Sequence, residues 1–237
     1  MALRLVFFVT LTSSFAHAGS GFGIQLIGGV AAPANQYQEV IRIHSEDGSC
    51  TATLVGPRLL VTAAHCGEVG EKVTFTFKGK SYTATIGRSA LYEDYGHDLA
   101  VGLVDKAVAD AKPMTIAGSV KEGDKMVLMG YGCTKTNGEG GNDGILRTGT
   151  TTVADFDAIQ ILSYSGEGEA ALCFGDSGGP AFVKAGDKLT LVGVNSAGNI
   201  EDTNYNTRLD SEVSQKFFAA VVKKLKVDIC GINKTCQ

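Results

Sequence analysis

The sequence is poor in the features that mark several large classes of protein. It has only 4 prolines in 237 residues, no run of 18 apolar residues and no block of lysines and arginines. Without such an apolar run no membrane-spanning helix is expected. With a formal charge of −4 and no basic face, nucleic-acid binding is not expected either. No two of the six cysteines stand two to four residues apart, so no thiolate pair is set up for a tetrahedral zinc site. No repeat of fixed period is present. No histidine follows residue 97. What the chain does have is a 44% hydrophobic, 19% charged composition, which suits a packed globular fold. Its length allows one large all-β domain or two small ones, able to bury roughly three quarters of the extended surface. The 31 glycines are nearly twice the usual share of about 7% and signal many tight turns.

Short β-like runs recur between turns: Glu39 to Ile43, Thr51 to Val55, Leu59 to Thr62, Lys72 to Phe77, Ser81 to Ile86, Leu99 to Val104, Lys125 to Met129, Ala181 to Val183 and Leu189 to Val194. Thr74 to Phe77 alternates with period two, as a strand buried on one face should. Asn137 to Gly144 has the composition of a loop. One segment is helical in pattern. After Asp210-Ser211, a pair suited to an N-cap, Val213, Phe217, Val221 and Leu225 fall four apart, Phe218 and Val222 widen the stripe, and Lys223, Lys224 and Lys226 suit the negative end of a helix dipole. The expected body is all-β, a sandwich or barrel, with one packed C-terminal helix.

The first residues read as a processing segment. Met1 to Arg4 form a short positive region, Leu5 to Ala16 an apolar one, and Ala16-His17-Ala18 a small-x-small cleavage pattern, so residues 1–18 are expected to be a signal peptide. Val6 to Val9 would otherwise suit a buried strand. Export, extracellular or periplasmic, implies an oxidising compartment, in which six cysteines read as three disulfides.

The densest chemical signal is Gly175-Asp176-Ser177-Gly178-Gly179-Pro180. Glycines on both sides leave the backbone free to project a serine hydroxyl and to converge N–H groups on one point, as an acyl-transfer nucleophile needs. The same cluster would also make a hairpin turn. A serine nucleophile needs a base, and His44, His65 and His97 all precede it once His17 leaves with the signal peptide. Gly175 to Gly179 meets the Gly-x-Ser-x-Gly pattern of α/β-hydrolases, but that fold needs its histidine after the serine, so chain order excludes it. His65 ends an apolar run beside Cys66, and Asp98 opens a buried-looking strand where it could orient an imidazole. Taken singly, His65 could be a core histidine, Asp98 a strand-entry cap, and His97 a competing base.

Ala63-Ala64-His65-Cys66, Asp98-Leu99-Ala100 and Gly175 to Pro180, in that order, resemble the trypsin/chymotrypsin-like serine endopeptidases over about residues 26 to 226. The resemblance implies two six-stranded antiparallel β-barrels with a C-terminal α-helix, and a cleft between the barrels holding His65 and Asp98 from the first and Ser177 from the second. It implies Ser177 as nucleophile, His65 as general base and acid, Asp98 holding the imidazole tautomer, and the N–H groups of Gly175 and Ser177 as oxyanion donors. Ser196 matches the serine that supports the buried aspartate, and Gly198 the residue that pairs with substrate backbone as an added strand. Protein or peptide substrates and proteinaceous inhibitors are the partners implied, the chain acting as a monomer without cofactor or metal. Glu68 to Glu71, a calcium loop in some relatives, reads more simply as solvated charge. By resemblance Cys50 pairs with Cys66. Cys173 lacks the family's usual partner, so it is expected to pair with Cys133, which follows Gly130-Tyr131-Gly132. That leaves Cys230 with Cys236 as a C-terminal clip, one of the fifteen connectivities open to six cysteines, a Cys173–Cys230 bridge being the alternative. Two readings from other classes stand beside this one: a catalytically silent binding module on the same fold, and an esterase or transferase acting at the same serine.

Departures from the family pattern concern specificity and activation. The position six residues before the nucleophile is Ala171, which cannot pair with a basic side chain. With Leu172 beside it, Asn204 on the opposite wall and Ala197 in place of the family's tryptophan, a neutral pocket is expected that accepts uncharged or apolar side chains. Glu201 or Asp202, from the short loop Asn199 to Thr203, would restore a basic preference by reaching in. Leu26-Ile27-Gly28-Gly29 resembles the start of a mature chain whose new amino group pairs with Asp176. Because Gln25 precedes that cut, residues 19–25 are expected to be a propeptide removed by a protease unlike trypsin, leaving 26–237 as the protease domain. N-terminal sequencing of the exported active protein is expected to begin at Leu26, and full activity on a chain beginning at Gly19 overturns this.

Overall fold

The computed structural model describes residues 26–46, 48–141 and 143–236. The expected signal peptide and propeptide, residues 1–25, lie outside the described residues.

The first barrel is built from β2 (Val40–Ser45), β3 (Gly48–Gly56), β4 (Leu59–Thr62), β5 (Lys72–Phe77), β6 (Lys80–Arg88) and β7 (Ala100–Val104). They close antiparallel in the order β2-β3-β4-β7-β6-β5, with β5 returning to β2 where Thr74 faces His44. The second comprises β8 (Lys125–Gly130), β9 (Arg147–Phe156), β10 (Gln160–Tyr164), β11 (Pro180–Ala185), β12 (Lys188–Gly198) and β13 (Thr203–Arg208), closed by the β8–β9 pairing. The short β1 (Val30–Ala31) adds to β9 at its edge. The fold is therefore two closed six-stranded antiparallel barrels with a C-terminal helix.

Alternation drives the first barrel. In β5 the pattern exposed-buried repeats three times from Lys72 to Phe77, putting Val73, Phe75 and Phe77 inside. With Leu54, Leu60, Ile86 and Leu99 they form the larger core, each such side chain contributing about 1.5–3 kcal/mol on burial. The second barrel is filled partly by other means. Strands β9, β10 and β13 show little apolar alternation, because Thr151, Ser163, Asn204, Asn206 and Thr207 occupy buried positions on them. Most of these find hydrogen-bond partners on other strands: Asn206 donates to Asn195 and Asn204 to Thr151. Such strands are invisible to a search for hydrophobic periodicity.

Of the helices, α1 (Tyr92–Tyr95) is one turn and α2 (Glu212–Leu225) follows the last strand. Ser211 caps α2, its hydroxyl accepting from the Ser214 N–H, and Lys226 ends it in a left-handed conformation. The buried centre of the stripe is Phe218 with Val221, while Phe217 sits at its margin. Disulfides join Cys50 to Cys66, Cys133 to Cys173 and Cys230 to Cys236. The second ties the loop after β8 to the segment before β11 across a separation of 40 residues. In the chain-entropy picture a loop of that size contributes about 4 kcal/mol. Replacing Cys133 and Cys173 together by serine is therefore expected to lower the unfolding free energy by about 3–4 kcal/mol in urea titrations; a loss under about 1 kcal/mol overturns the estimate.

Candidate active site

His65 sits in a single 3-10 turn, Ala64–Cys66, that follows β4 and is pinned by the Cys50–Cys66 bridge. Asp98 stands two residues before β7, the strand hydrogen-bonded to β4, so adjacent strands bring the two side chains together. Asp98 Oδ1 accepts from the His65 backbone N–H at 3.0 Å, and Oδ2 lies 2.8 Å from His65 Nδ1. The same Oδ2 accepts from the Ser196 hydroxyl at 2.6 Å, from the second barrel. Burial would raise the Asp98 pKa, but the hydrogen bond and charge of His65, the Ser196 hydroxyl and the His65 N–H outweigh it and hold the carboxyl below its ordinary value. An ionised carboxylate only accepts, so His65 donates from Nδ1–H, and in the neutral tautomer that this selects Nε2 is the acceptor. His65 and Ser177 line one cleft.

Ser177 lies in the turn before β11. Gly175, at φ 99°, and Gly178, at φ 80°, take left-handed backbone on either side of it, and a Cβ on Gly178 would lie 2.0 Å from Thr62 Oγ1. Among the described residues no acceptor is set against the N–H groups of Gly175 and Ser177. Asp176 points the other way and is wholly buried. Its Oδ1 accepts from Gly132 N–H at 2.8 Å and its Oδ2 from Cys173 N–H at 2.9 Å. A Cβ on Gly130 or Gly132 would strike the carboxylate at 2.1 and 2.6 Å, so only glycine fits at either position. Burial pushes the Asp176 carboxyl up to about 7, against the opposing pull of the two N–H donors and the Arg147 charge. Leu26 is also fully buried, packed with Met126, Leu128 and Leu172 in the second barrel, and Ile27 bridges to Ala171.

A cavity of about 330 Å³ opens beside Ser177 and His65. Leu172, Ser196, Ala197 and Gly198 line it, together with Cys173, Phe174 and Ile200. Ala171 and Asn204 do not line it. Ala171 is buried behind the wall with its N–H donating to Ile27 at 2.7 Å. Asn204 holds the wall from behind, its Oδ1 accepting from Leu172 N–H at 2.7 Å and its Nδ2 donating to Ser165 at 2.9 Å. Glu201 and Asp202 do not line the cavity either. Asn199 Oδ1 accepts from the N–H groups of Glu201, Asp202 and Thr203, and its Nδ2 binds the Asp202 carboxylate. That tight turn leaves Ile200 at φ 59°, a costly conformation for a β-branched residue, lining the cavity. Only its place in a short turn just after Gly198 pointed to Ile200 beforehand. Cys50, Cys66 and His65 lie close enough to hold an ion, but the two sulfurs are joined to each other and offer no thiolate.

Compared with protein families, the sequence model described as Trypsin matches residues 26–219. No curated protein matches the chain.

His97 has a different environment from His65. It is fully buried against α2, with Nδ1 2.7 Å from the Ser89 hydroxyl and Nε2 2.9 Å from that of Ser214. The Ser214 hydroxyl donates to the Arg208 carbonyl, so it accepts from Nε2–H, and Nδ1 accepts from Ser89. A second ring proton would displace that last bond. Burial lowers the His97 pKa, although the neighbouring Asp98 charge acts to raise it. The unfolded chain then binds a proton that the folded one refuses, so stability is full above the unfolded histidine range, near pH ~6.5, and is lost as pH falls through it. Unfolding free energies from urea titrations between pH 8 and pH 5 are expected to fall more steeply for the parent protein than for His97→Gln, by at most about 1.4 kcal/mol per pH unit. Parallel profiles overturn the assignment.

Proposed function

This chain belongs to the trypsin family, and on that premise we propose that it is a secreted serine endopeptidase working through an acyl-enzyme. The observation that carries the reading is the 2.8 Å contact between His65 Nδ1 and an ionised Asp98, which leaves Nε2 as the base in the cleft shared with Ser177. In the proposed reaction the Ser177 Oγ–H bond breaks as Oγ bonds the scissile carbonyl carbon, and the proton passes to His65 Nε2. The C–N bond then breaks and His65 returns the proton to the leaving amine. Water repeats the sequence to release the acid. Asp98 stabilises the imidazolium, and the N–H groups of Gly175 and Ser177 receive the oxyanion, each such donor being worth about 3–4 kcal/mol in the transition state. Gly198, on the exposed edge of β12, would pair with substrate backbone.

The cavity supports cleavage after uncharged, apolar side chains. Its lining by Leu172, Ala197, Gly198 and Ile200 offers no carboxylate to pair with lysine or arginine. Activation by cleavage before Leu26 is also proposed. A buried carboxyl at Asp176, pushed toward neutrality by desolvation, is the environment in which a new ammonium group would be strongly favoured.

Labelling with a fluorophosphonate, read by intact mass and peptide mapping, tests this. One adduct on Ser177 is expected, absent in Ser177→Ala, with peptide turnover lowered about 10⁴-fold or more in His65→Ala. Peptide-library cleavage is expected to favour apolar over basic residues by at least about 100-fold. A chain beginning at Leu26 that takes no label is a binding module instead, and one that cleaves esters but no peptide is an esterase.

A further inference from the structure

Thr51, on β3 of the first barrel, is fully buried and far in sequence from the Ser177 turn, yet it binds that turn twice. Its backbone N–H donates to the Ser177 carbonyl at 2.8 Å, and its hydroxyl donates to the Gly175 carbonyl at 2.8 Å. The hydroxyl oxygen also accepts from Tyr131 N–H at 3.2 Å, which orients its proton toward Gly175. The Thr51 carbonyl in turn accepts from the Thr62 hydroxyl at 2.9 Å.

The peptide joining Gly175 to Asp176 lies between the two peptides whose N–H groups face the cleft. Each peptide is planar and trans, so its C=O and N–H point in opposite directions and turn together. The donor peptide ending in Gly175 N–H is held by Phe174 O, which accepts from Cys133 N–H at 2.8 Å. The one ending in Ser177 N–H is held by Asp176 O, which accepts from Asn195 Nδ2 at 3.1 Å. The peptide between them sets the angle of one donor to the other. Its N–H binds the Cys173 carbonyl at 3.0 Å, and its C=O is held by Thr51 Oγ1. Gly175 has no Cβ to restrict its own torsions, so the hydroxyl supplies the restraint.

We propose that Thr51 is a positioning residue for oxyanion binding, its hydroxyl fixing the Gly175–Asp176 peptide so that the two flanking N–H groups converge. This rests on the protease reading above. A β-branched threonine, stiff about χ1, presents that hydroxyl in one direction. Thr51 stabilises the transition state through Gly175 and Ser177 and does not touch substrate.

The test compares Thr51→Val, which keeps the shape and removes the donor, with Thr51→Ser, which keeps the donor, assayed well below their melting temperatures. Thr51→Val is expected to lower kcat about 10- to 100-fold with KM within about twofold, less than loss of a direct donor. The inhibition constant of a peptidyl trifluoromethyl ketone, whose hemiketal sets an oxyanion against the same donors, is expected to worsen by the same factor. Thr51→Ser is expected to stay within about threefold of the parent in both. If Thr51→Val does not fold, Thr51→Ala against Thr51→Ser carries the same comparison. Unchanged kcat in Thr51→Val, or a ketone affinity that does not follow kcat, overturns the positioning role while leaving the protease reading intact. A parent protein that neither cleaves peptides nor takes fluorophosphonate overturns both.

Discussion

The site is assembled from two barrels that share no sheet, so its geometry depends on the hydrogen bonds that cross the seam between them. His65 and Asp98 come from the first barrel and Ser177 from the second. Ser196 and Thr207 reach from the second barrel to the Asp98 side chain and carbonyl. Thr51 reaches from the first to the turn around Ser177. Tyr131 donates from the loop after β8 to the Val40 carbonyl. Each such bond is worth only about 0.5–1.5 kcal/mol net, so none holds the barrels together alone. Their value is directional: apolar contact resists separation but not sliding, whereas a buried donor against one acceptor fixes register. A shift of an ångström between the barrels would leave Asp98 and the Ser177 turn with unsatisfied buried groups.

Burial of Asp176 is the second organising fact. A carboxylate with no exposed surface is held in a niche that exists only because Gly130 and Gly132 lack side chains. The niche orients the residue before Ser177 inward and so turns the neighbouring N–H groups outward. The Cys133–Cys173 bridge spans the same two segments, clamping the loop that donates to Asp176 against the strand entry that also donates to it. Charge, glycine spacing and a covalent tie thus act on one short stretch of backbone, the stretch on which the proposed oxyanion binding depends.

Much of this was legible beforehand, for particular reasons. The nine runs read as strands all lie in or overlap strands of the structure, because each is a short apolar or alternating run between turn residues; Lys72 to Phe77 matches to the residue. Strands β9, β10 and β13 were not announced, because their buried positions carry threonine, serine and asparagine. The Ser177 turn and the His65 segment were readable because such backbone and such a neighbour to cysteine leave local marks. The cavity wall was less so. Ala171 and Asn204 stand at the expected places along the chain, but the bridge to Ile27 and the bond to Leu172 turn them away from the cavity. Ile200 faces it because Asn199 gathers three N–H groups, an arrangement with no signature in composition.

By itself the amino-acid sequence determined whatever depends on neighbours along the chain: the alternation of β5, the cap and stripe of α2, the glycines around Ser177, and the order of histidine, aspartate and serine that excluded another fold. Only the tertiary structure decided which partner each buried polar group would find. That Thr51 meets Gly175, that His97 spends both ring nitrogens on Ser89 and Ser214, and that Asn204 backs the wall it was expected to face are all long-range choices. The physical reason is that hydrogen-bond satisfaction in a closed barrel is a property of the whole enclosure. A side chain's donors and acceptors are written in the sequence, but the direction in which they are used depends on which strands close around them.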